Sequence, residues 1–365
     1  MDQKTYDVVV AGGGPAGSVL AARLARQGRN VLLVEASEFT RFRVGEFLAP
    51  KARALVNEIA ILSSGWEQRH QSIAEFVSTW GASSPVDRNY IFDPHGHGLA
   101  LDRALFDRDL AEAAVRHGAR LLTRAYVRAA SRSPAGWKIA VEQNKERFEV
   151  HCKFVAVCCG RAGAPFRGVP LARRRTNRLV CLGLRLAGYR GDVRPTTEAY
   201  PHGWVYSVGL SSGELIVNLF TEPSTRDGGI FRPSLDLLLR ELAECPFAAS
   251  RVAASNIASS SDVTFFSTDA SSICSRPVAG QGWCLAGDAA QSLDPLSSGG
   301  IIQALKHAIL VSDSLLRSPS VSDVDLTGYA EYLDGAYAAY ESERRRVYQM
   351  EQRWPTPFWR SGRHG

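Results

Sequence analysis

Asp7-Val8-Val9-Val10-Ala11 runs into Gly12-Gly13-Gly14-Pro15-Ala16-Gly17 and then into an Ala/Leu/Arg-rich segment that ends at Gly28. An apolar run, phased glycines and a helix-forming stretch read as strand, turn and helix. Gly12 makes the tight turn, Gly14 leaves bare backbone for a pyrophosphate to approach, and Gly17 lets helix and strand pack closely. The pyrophosphate then rests on the helix N-terminus, where free N–H groups and the dipole favour negative charge. A second strand, Asn30-Val31-Leu32-Leu33-Val34, closes on Glu35, near the offset where a carboxylate accepts both ribose hydroxyls of an adenosine. An acid there favours an unphosphorylated ribose. Dinucleotide binding is the expectation; the alternative is a doubly wound domain with an empty turn.

A chain of 365 residues is long for one core and natural for two substructures, at roughly 150 residues per domain. Its 45% hydrophobic and 22% charged content is that of an ordinary globular protein. The net charge of +6 raises nucleic acid as a partner, but the arginines are scattered outside Arg173-Arg174-Arg175 and Arg344-Arg345-Arg346. Neither cluster sits among stacking aromatics, so no nucleic acid is expected. Met1-Asp2-Gln3-Lys4 leads straight into a strand and no apolar run reaches spanning length, so neither a secretory signal nor a membrane segment is expected. The seven cysteines lack metal-ligand or disulfide spacing and read as reduced thiols of a cytoplasmic protein; a redox pair at Cys158-Cys159 is the sharper alternative.

Further along, Arg41 to Pro50 forms a polar loop, Gly- and Pro-punctuated, that leads into an apolar helix from about Arg53, and Phe76 to Gly81 reads as strand. Asp102 is a good N-cap for a helix of about four turns whose apolar face ends near Gly118. Arg103 in its first turn opposes the dipole, so either an anionic partner such as a dinucleotide phosphate or a surface salt bridge accounts for it. A strand at Leu121-Leu122-Thr123 precedes a hairpin of Trp137 to Val141 with Phe148 to Cys152, then Phe154 to Val157 opens into a second glycine turn. From Leu179 to Phe220 the alternation is that of an antiparallel sheet, joined by a helix from Leu235 to Leu242. Gly287-Asp288 follows a short strand that delivers the carboxylate to the sheet edge, where it can bind a polyol chain. Pro295-Leu296-Ser297-Ser298-Gly299-Gly300 then starts a helix with Ile301, Leu305, Ala308 and Ile309 on one face, exposing N–H groups that could stabilise negative charge. Tyr329, Leu333, Ala336, Tyr337 and Tyr340 form an aromatic stripe in the C-terminal segment, read first as packing.

With these segments in order, the chain resembles the single-Rossmann FAD-dependent monooxygenases, a superfamily that includes p-hydroxybenzoate hydroxylase-like enzymes and flavin-dependent tryptophan halogenases. Within it, Arg43-x-Gly45-Glu46 with Pro50, Trp80-Gly81, Leu101-Asp102-Arg103, Gly203-Trp204-x-Tyr206-Ser207, Asp294-Pro295-Leu296-Ser297-Ser298 and the tail Arg353-Trp354-Pro355 look like one subgroup. These are the halogenase-like flavoproteins that hydroxylate a tryptophan of a partner polypeptide in tryptophylquinone cofactor biogenesis, companions of lysine and glycine oxidases and quinohemoprotein amine dehydrogenase. The halogenases carry a Trp-x-Trp-x-x-Ile motif and a catalytic lysine. This chain has Trp204-x-Tyr206, and Glu75 stands in the region equivalent to that lysine, with Lys51 nearby in sequence.

The resemblance implies an α/β fold: a Rossmann-like FAD-binding domain over residues 1–70, 95–175 and 265–320, an interleaved antiparallel-sheet substrate domain over 71–94 and 176–264, and a C-terminal helical segment over 321–365. The cofactor-binding candidates are Gly12, Gly14, Pro15, Ala16, Gly17, Glu35, Arg43, Gly45, Glu46, Arg103, Gly287, Asp288, Pro295, Gly299, Gly300 and Ile301. Trp80, Trp204 and Tyr206 are candidates for the substrate pocket, against a reading as core aromatics. The implied reaction delivers hydroxyl from a flavin hydroperoxide to an indole ring, with dioxygen consumed and NAD(P)H or a separate flavin reductase as electron source. No metal cluster competes for the role, no general base is assigned, and His95 and His97 sit in a Gly-rich loop. The rivals are a tryptophan halogenase and a non-catalytic flavoprotein chaperone of the partner.

Overall fold

The computed structural model describes residues 5–163, 171–223, 232–255 and 262–364; the leading Met1–Lys4 lies outside them. The first strand, Thr5–Ala11, is the centre of a parallel array. Val9 pairs with Leu32 on one side and Val155 on the other, and the array extends to Trp283–Leu285 at one end and Arg120–Leu122 at the other. Strands buried on both faces need continuous apolar sequence, and Val8, Val9, Val10, Leu32 and Leu33 are all fully buried. The helix Pro15–Arg26 covers this sheet between Arg103–Arg116 and Gly300–Arg317. Asp102 caps its helix as expected, its carboxylate accepting from the Leu105 N–H at 3.1 Å.

The hairpin at 137–152 has the expected register, Trp137 opposite Cys152 and Val141 opposite Phe148. Its second arm does not stop there. Glu146–Val157 is one strand of 12 residues, antiparallel to Gly136–Gln143 in its first part and parallel to Thr5–Ala11 in its second. A third strand, Ala125–Ser133, joins this ribbon. The sequence reading missed it because Arg128 and Arg132 break the apolar alternation; their guanidiniums lie over the Tyr126 and Trp137 rings instead.

The second sheet has seven strands in the order Val263–Asp269, Val180–Leu186, Leu215–Thr221, Gly203–Gly209, Thr196–Tyr200, Glu75–Ser78, Val86–Asn89. Pairing is antiparallel throughout except between Thr196–Tyr200 and Glu75–Ser78. Alternation decides its two faces. Leu182, Leu184, Val205, Val217 and Leu219 point toward the helices Leu235–Leu242 and Pro246–Ala253, while Cys181, Trp204 and Phe220 point the other way. The C-terminal helices Thr327–Met350 and Pro357–His364 lock onto that second face, with Trp359 donating to the Tyr200 carbonyl at 2.9 Å.

Three boundaries differ from the sequence reading. The helix expected from Arg53 begins at Pro50, where a proline at the first helical position sacrifices no hydrogen bond. Residues 265–269, assigned to the nucleotide-binding part, pair with Val180–Leu186 and so extend the antiparallel sheet. Residues 71–73 pair with Gly98–Ala100, so the division at 94 cuts a small three-stranded sheet. The aromatic stripe is packing, as first read: Tyr329, Leu333 and Tyr337 are buried.

Candidate functional site

The turn after the first strand admits no side chain at two positions. Gly12 has φ of +107°, and a Cβ there would lie 2.3 Å from the Cys158 carbonyl oxygen; one at Gly17 would lie 1.9 Å from the Gly12 carbonyl oxygen. Gly14 is different. Its nearest neighbour would be Arg43 Nη1 at 3.8 Å, so its backbone is open to a ligand. The first-turn N–H groups of Ala16 and Gly17 have no intrahelical partner, as at any helix start.

A cavity of about 800 Å³ opens from this turn and runs to the antiparallel sheet. Gly12, Gly14, Pro15, Ala16 and Glu35 line its nucleotide end, and Arg43, Gly45, Glu46 and Arg103 its middle. Gly287, Asp288, Pro295, Gly299, Gly300 and Ile301 form the opposite wall. Of the sixteen expected positions, Gly17 alone lies behind the lining, where it serves the strand–helix contact.

Glu35 anchors the nucleotide end. One carboxylate oxygen accepts from the Gly13 N–H at 2.7 Å; the other accepts from Ser37 and from Arg43 at 2.7 Å. Burial favours the neutral acid, yet the Ser37 hydroxyl, Arg43 and the Gly13 amide outweigh it and hold the carboxyl below its usual range. Arg43 also reaches Asp107 at 3.0 Å, and Arg103 reaches the same carboxylate at 3.2 Å. Arg103 further donates to the Val44 carbonyl at 2.7 Å. The cation in the first turn of its helix is therefore an internal clamp on the loop 43–46, seated in the cavity wall.

On the opposite wall, Gly287 takes a positive φ, and its N–H donates to Nδ1 of His307 at 3.1 Å. That imidazole is fully buried and neutral, its pKa pushed down to about 3 by burial and by Lys306. Asp288 lies 3.5 Å from Arg161. Its side chain is 38% exposed to the cavity, yet the enclosing protein raises its pKa against the pull of Arg161 and Arg103.

At the sheet end, Trp204 and Tyr206 line the cavity with Phe220, Asn218 and Cys181. Trp204 stacks on Phe220 at 3.9 Å between centroids. Trp80 does not line the cavity. It packs edge-on behind Trp204 and donates to the Val347 carbonyl at 2.7 Å, which makes it a core aromatic. Glu46 is 2% exposed, and burial raises its carboxyl to about 7 against Arg103 and Asn218. Sequence reasoning missed Arg128, Arg161 and Asn218 as lining residues; Arg128 lies over Tyr126 on the same strand that the sequence reading missed, and the register of Asn218 against Tyr206 exists only once the strands pair.

Among the described residues the lining contains no lysine. Glu75 is turned to Arg194, 2.8 Å away, and Lys51 is exposed on its helix. Cys158 and Cys159 are free thiols, raised by burial, and form no disulfide. Among the described residues no group of His, Cys, Asp or Glu could hold a metal ion, and no helix is long and apolar enough to cross a membrane. His95 and His97 lie outside the lining.

Residues 5–206 match the family described as an FAD binding domain. Curated relatives include the putative FAD-dependent oxidoreductase LodB of Marinomonas mediterranea, 27% identical over 99% of this chain and 97% of its own length. The tryptophan 2-halogenase of Chondromyces crocatus is 24% identical over 96% of this chain and 69% of its own. Among solved structures, the myxobacterial chondrochloren halogenase CndH has a TM-score of 0.82 at 22% identity, covering 98% of this chain and 86% of that one. Peptidyl tryptophan dihydroxylase QhpG, essential for tryptophylquinone cofactor biogenesis, has a TM-score of 0.77 at 24% identity, covering 98% and 78%. These two likenesses are of fold.

Proposed function

The chain belongs to the FAD binding domain family, and on that premise we propose that it is an FAD-dependent monooxygenase that hydroxylates a tryptophan side chain of a partner polypeptide. The residues fit the cofactor: an open backbone cradle at Gly14, an ionised Glu35 at the end of the second strand, and Arg43, Arg103, Arg128 and Arg161 in the lining of the same cavity. FAD, when bound, supplies two-electron chemistry and the activation of dioxygen.

The chain's own part is to bind, orient and exclude water. Gly14 and the helix start hold the phosphates, and Glu35 takes the ribose. Arg103 fixes the loop 43–46 so that Glu46 faces the sheet. Trp204, Phe220 and Phe47 give a substrate ring an apolar slot at that end of the cavity.

The observation that carries hydroxylation over halogenation is the lining of that slot, which offers aromatic faces and a carboxyl but no ammonium among its described residues. The 24% identity to a tryptophan 2-halogenase favours halogenation as the second reading. A candidate partner polypeptide is co-expressed with and without this protein and weighed. Gain of oxygen that needs reductant and dioxygen is the expected result, and gain of halogen would promote the second reading. A single glycine fingerprint leaves electrons to come from NAD(P)H in transient contact or from a separate reductase, which oxygen consumption with each donor resolves. Partner binding without any such consumption would instead make the protein a chaperone.

A further inference from the structure

Three polar atoms in the cavity wall have no partner: Oε1 of Glu46, Oδ1 of Asn218 and Oη of Tyr206. Among the described residues lining the cavity, these are the residues with such buried, unsatisfied side-chain atoms. A buried polar atom left without a partner costs on the order of 1–3 kcal/mol, so three in one wall is an arrangement that a ligand completes.

The three come together from two elements. Tyr206 and Asn218 face one another across adjacent strands of the antiparallel sheet. Glu46 closes the loop held by Arg103, and the Asn218 amide is near enough to favour its charged form. Glu46 and Asn218 are each 2% exposed. Around them the wall is apolar or aromatic, with Phe47, Cys181, Trp204 and Phe220. The chemistry is therefore that of a flat apolar slot with one polar edge. Asn218 Oδ1 only accepts, Glu46 Oε1 only accepts when its carboxyl is ionised, and the third atom, a phenol oxygen, can do either. A planar ring that presents an N–H supplies the edge with a donor it lacks and relieves part of that cost, whereas a ring without a donor leaves it as costly as before.

We propose that Glu46, Asn218 and Tyr206 form the recognition subsite for the N–H edge of an indole ring, setting which carbon of the ring faces the cofactor. This deepens the hydroxylation reading and rests on it for the choice of indole. The Glu46 carboxyl lies in the field of Arg103 and takes hydrogen bonds from backbone N–H groups of the loop and from the Asn218 side chain, but its Oε1 has no partner, and that oxygen is the one open to the ligand's hydrogen bond.

The test is equilibrium binding of indole, N-methylindole and benzofuran to the FAD-loaded full-length protein, followed by ligand-observed NMR and by the absorbance of the oxidised flavin. Indole is expected to bind at least about tenfold more tightly than either analogue, as a lost buried hydrogen bond of about 1.4 kcal/mol requires. Asn218→Leu and Glu46→Leu should erase the preference; each also removes the hydrogen bond between the two side chains, so thermal unfolding of each variant is measured beside the binding to show that it is folded. Glu46→Gln, which keeps an acceptor, should retain part of it, and Tyr206→Phe gives a further variant of minimal shape change. Equal binding of the three compounds, no binding of indole, or an indole preference that survives Glu46→Leu, Asn218→Leu and Tyr206→Phe each overturns the subsite. If the preference behaves as expected but no tryptophan peptide gains oxygen, the subsite stands and hydroxylation falls; oxygen gain with no N–H preference gives the reverse.

Discussion

Tyr348 Oη donates to Asp294 Oδ2 at 2.8 Å, and with that bond the C-terminal helix holds the loop that forms one rim of the cavity. The same hydroxyl accepts from Trp204 Nε1 at 3.2 Å, and Arg344 Nε reaches Asp294 Oδ2 at 3.2 Å. The Asp294 N–H donates to Tyr340 Oη at 2.8 Å. The pocket indole, the C-terminal helix and the rim loop are thus one buried network.

Its members should be unequal in cost. Tyr348→Phe strands the Trp204 N–H and takes one of two partners from Asp294 Oδ2, which keeps Arg344, for a loss of about 1–3 kcal/mol. Asp294→Ala leaves Arg344, whose side chain is 7% exposed, without its carboxylate, for about 3–5 kcal/mol. Urea titration of the two variants tests the order; equal losses would overturn it, and negligible losses would mean that the network carries no stability.

The glycines should separate folding from ligand binding. Gly17→Ala drives a Cβ into the Gly12 carbonyl and should prevent accumulation of folded protein. Gly14→Ala meets nothing closer than 3.8 Å in a backbone conformation alanine accepts, so folding should change by less than about 1 kcal/mol. FAD affinity should nevertheless fall by about tenfold or more, the cost of about 1.4 kcal/mol for a methyl group placed where the phosphates approach. Flavin titration and thermal unfolding, run on the same sample, would contradict the cradle if affinity were unchanged.

Glu46 makes stability fall with rising pH. Its folded pKa is about 7 against an ordinary 4.5, so between those values the folded state binds more protons than the unfolded one. Stability is then greatest below about pH 4.5 as far as this group is concerned, and is lost as pH rises through 7, by at most ~3 kcal/mol. Glu46→Gln should flatten that part of the profile in urea titrations at pH 5 and pH 8. A wild-type profile with no such decline attributable to Glu46 would place its carboxyl in contact with water.

His307 works in the opposite direction. Its folded pKa of about 3 lies below the ordinary 6.5, so the unfolded state takes up a proton first as pH falls, and stability drops from pH 6.5 toward 3. The amount is a few kcal/mol at most. An imidazole resonance that stays neutral to below pH 4 in NMR titration is the expected observation, and titration near 6 would show the ring is not sealed behind the Gly287 turn.

Much of this molecule was legible before any pairing was known. Val8 to Val10 and Leu32 to Leu33 announce strands buried on both faces, and the spacing of Gly12, Gly14 and Gly17 places the turn between them. The alternation at 203–209 and 215–221 declares an antiparallel sheet. What stayed hidden depends on partners distant in sequence. Trp80 reads as a pocket residue until Tyr348 and Trp359 are found packed around it. Glu46 reads as part of a cofactor loop until Asn218 and Tyr206 arrive from the other sheet. Asp294 and Tyr348, 54 residues apart, carry no local signal of their bond.

Glu75 allows a direct contest between oxygen and halogen transfer. The resemblance puts it in the region equivalent to the halogenases' catalytic lysine, but in this fold it lies on Glu75–Ser78 with its carboxylate 2.8 Å from Arg194. Glu75→Lys therefore restores the residue type without restoring its place. The new ammonium is repelled by Arg194 and stays off the cavity wall, while Arg194 keeps its 2.8 Å contact with Asp192, so folding should weaken by less than about 1 kcal/mol, as for an exposed pair. With bromide, reductant, FAD and dioxygen present, mass spectrometry of a tryptophan peptide should show no brominated product from either the wild type or Glu75→Lys. Bromination by the variant alone would mean that position 75 does face the reacting ring, and that one substitution separates this protein from a halogenase.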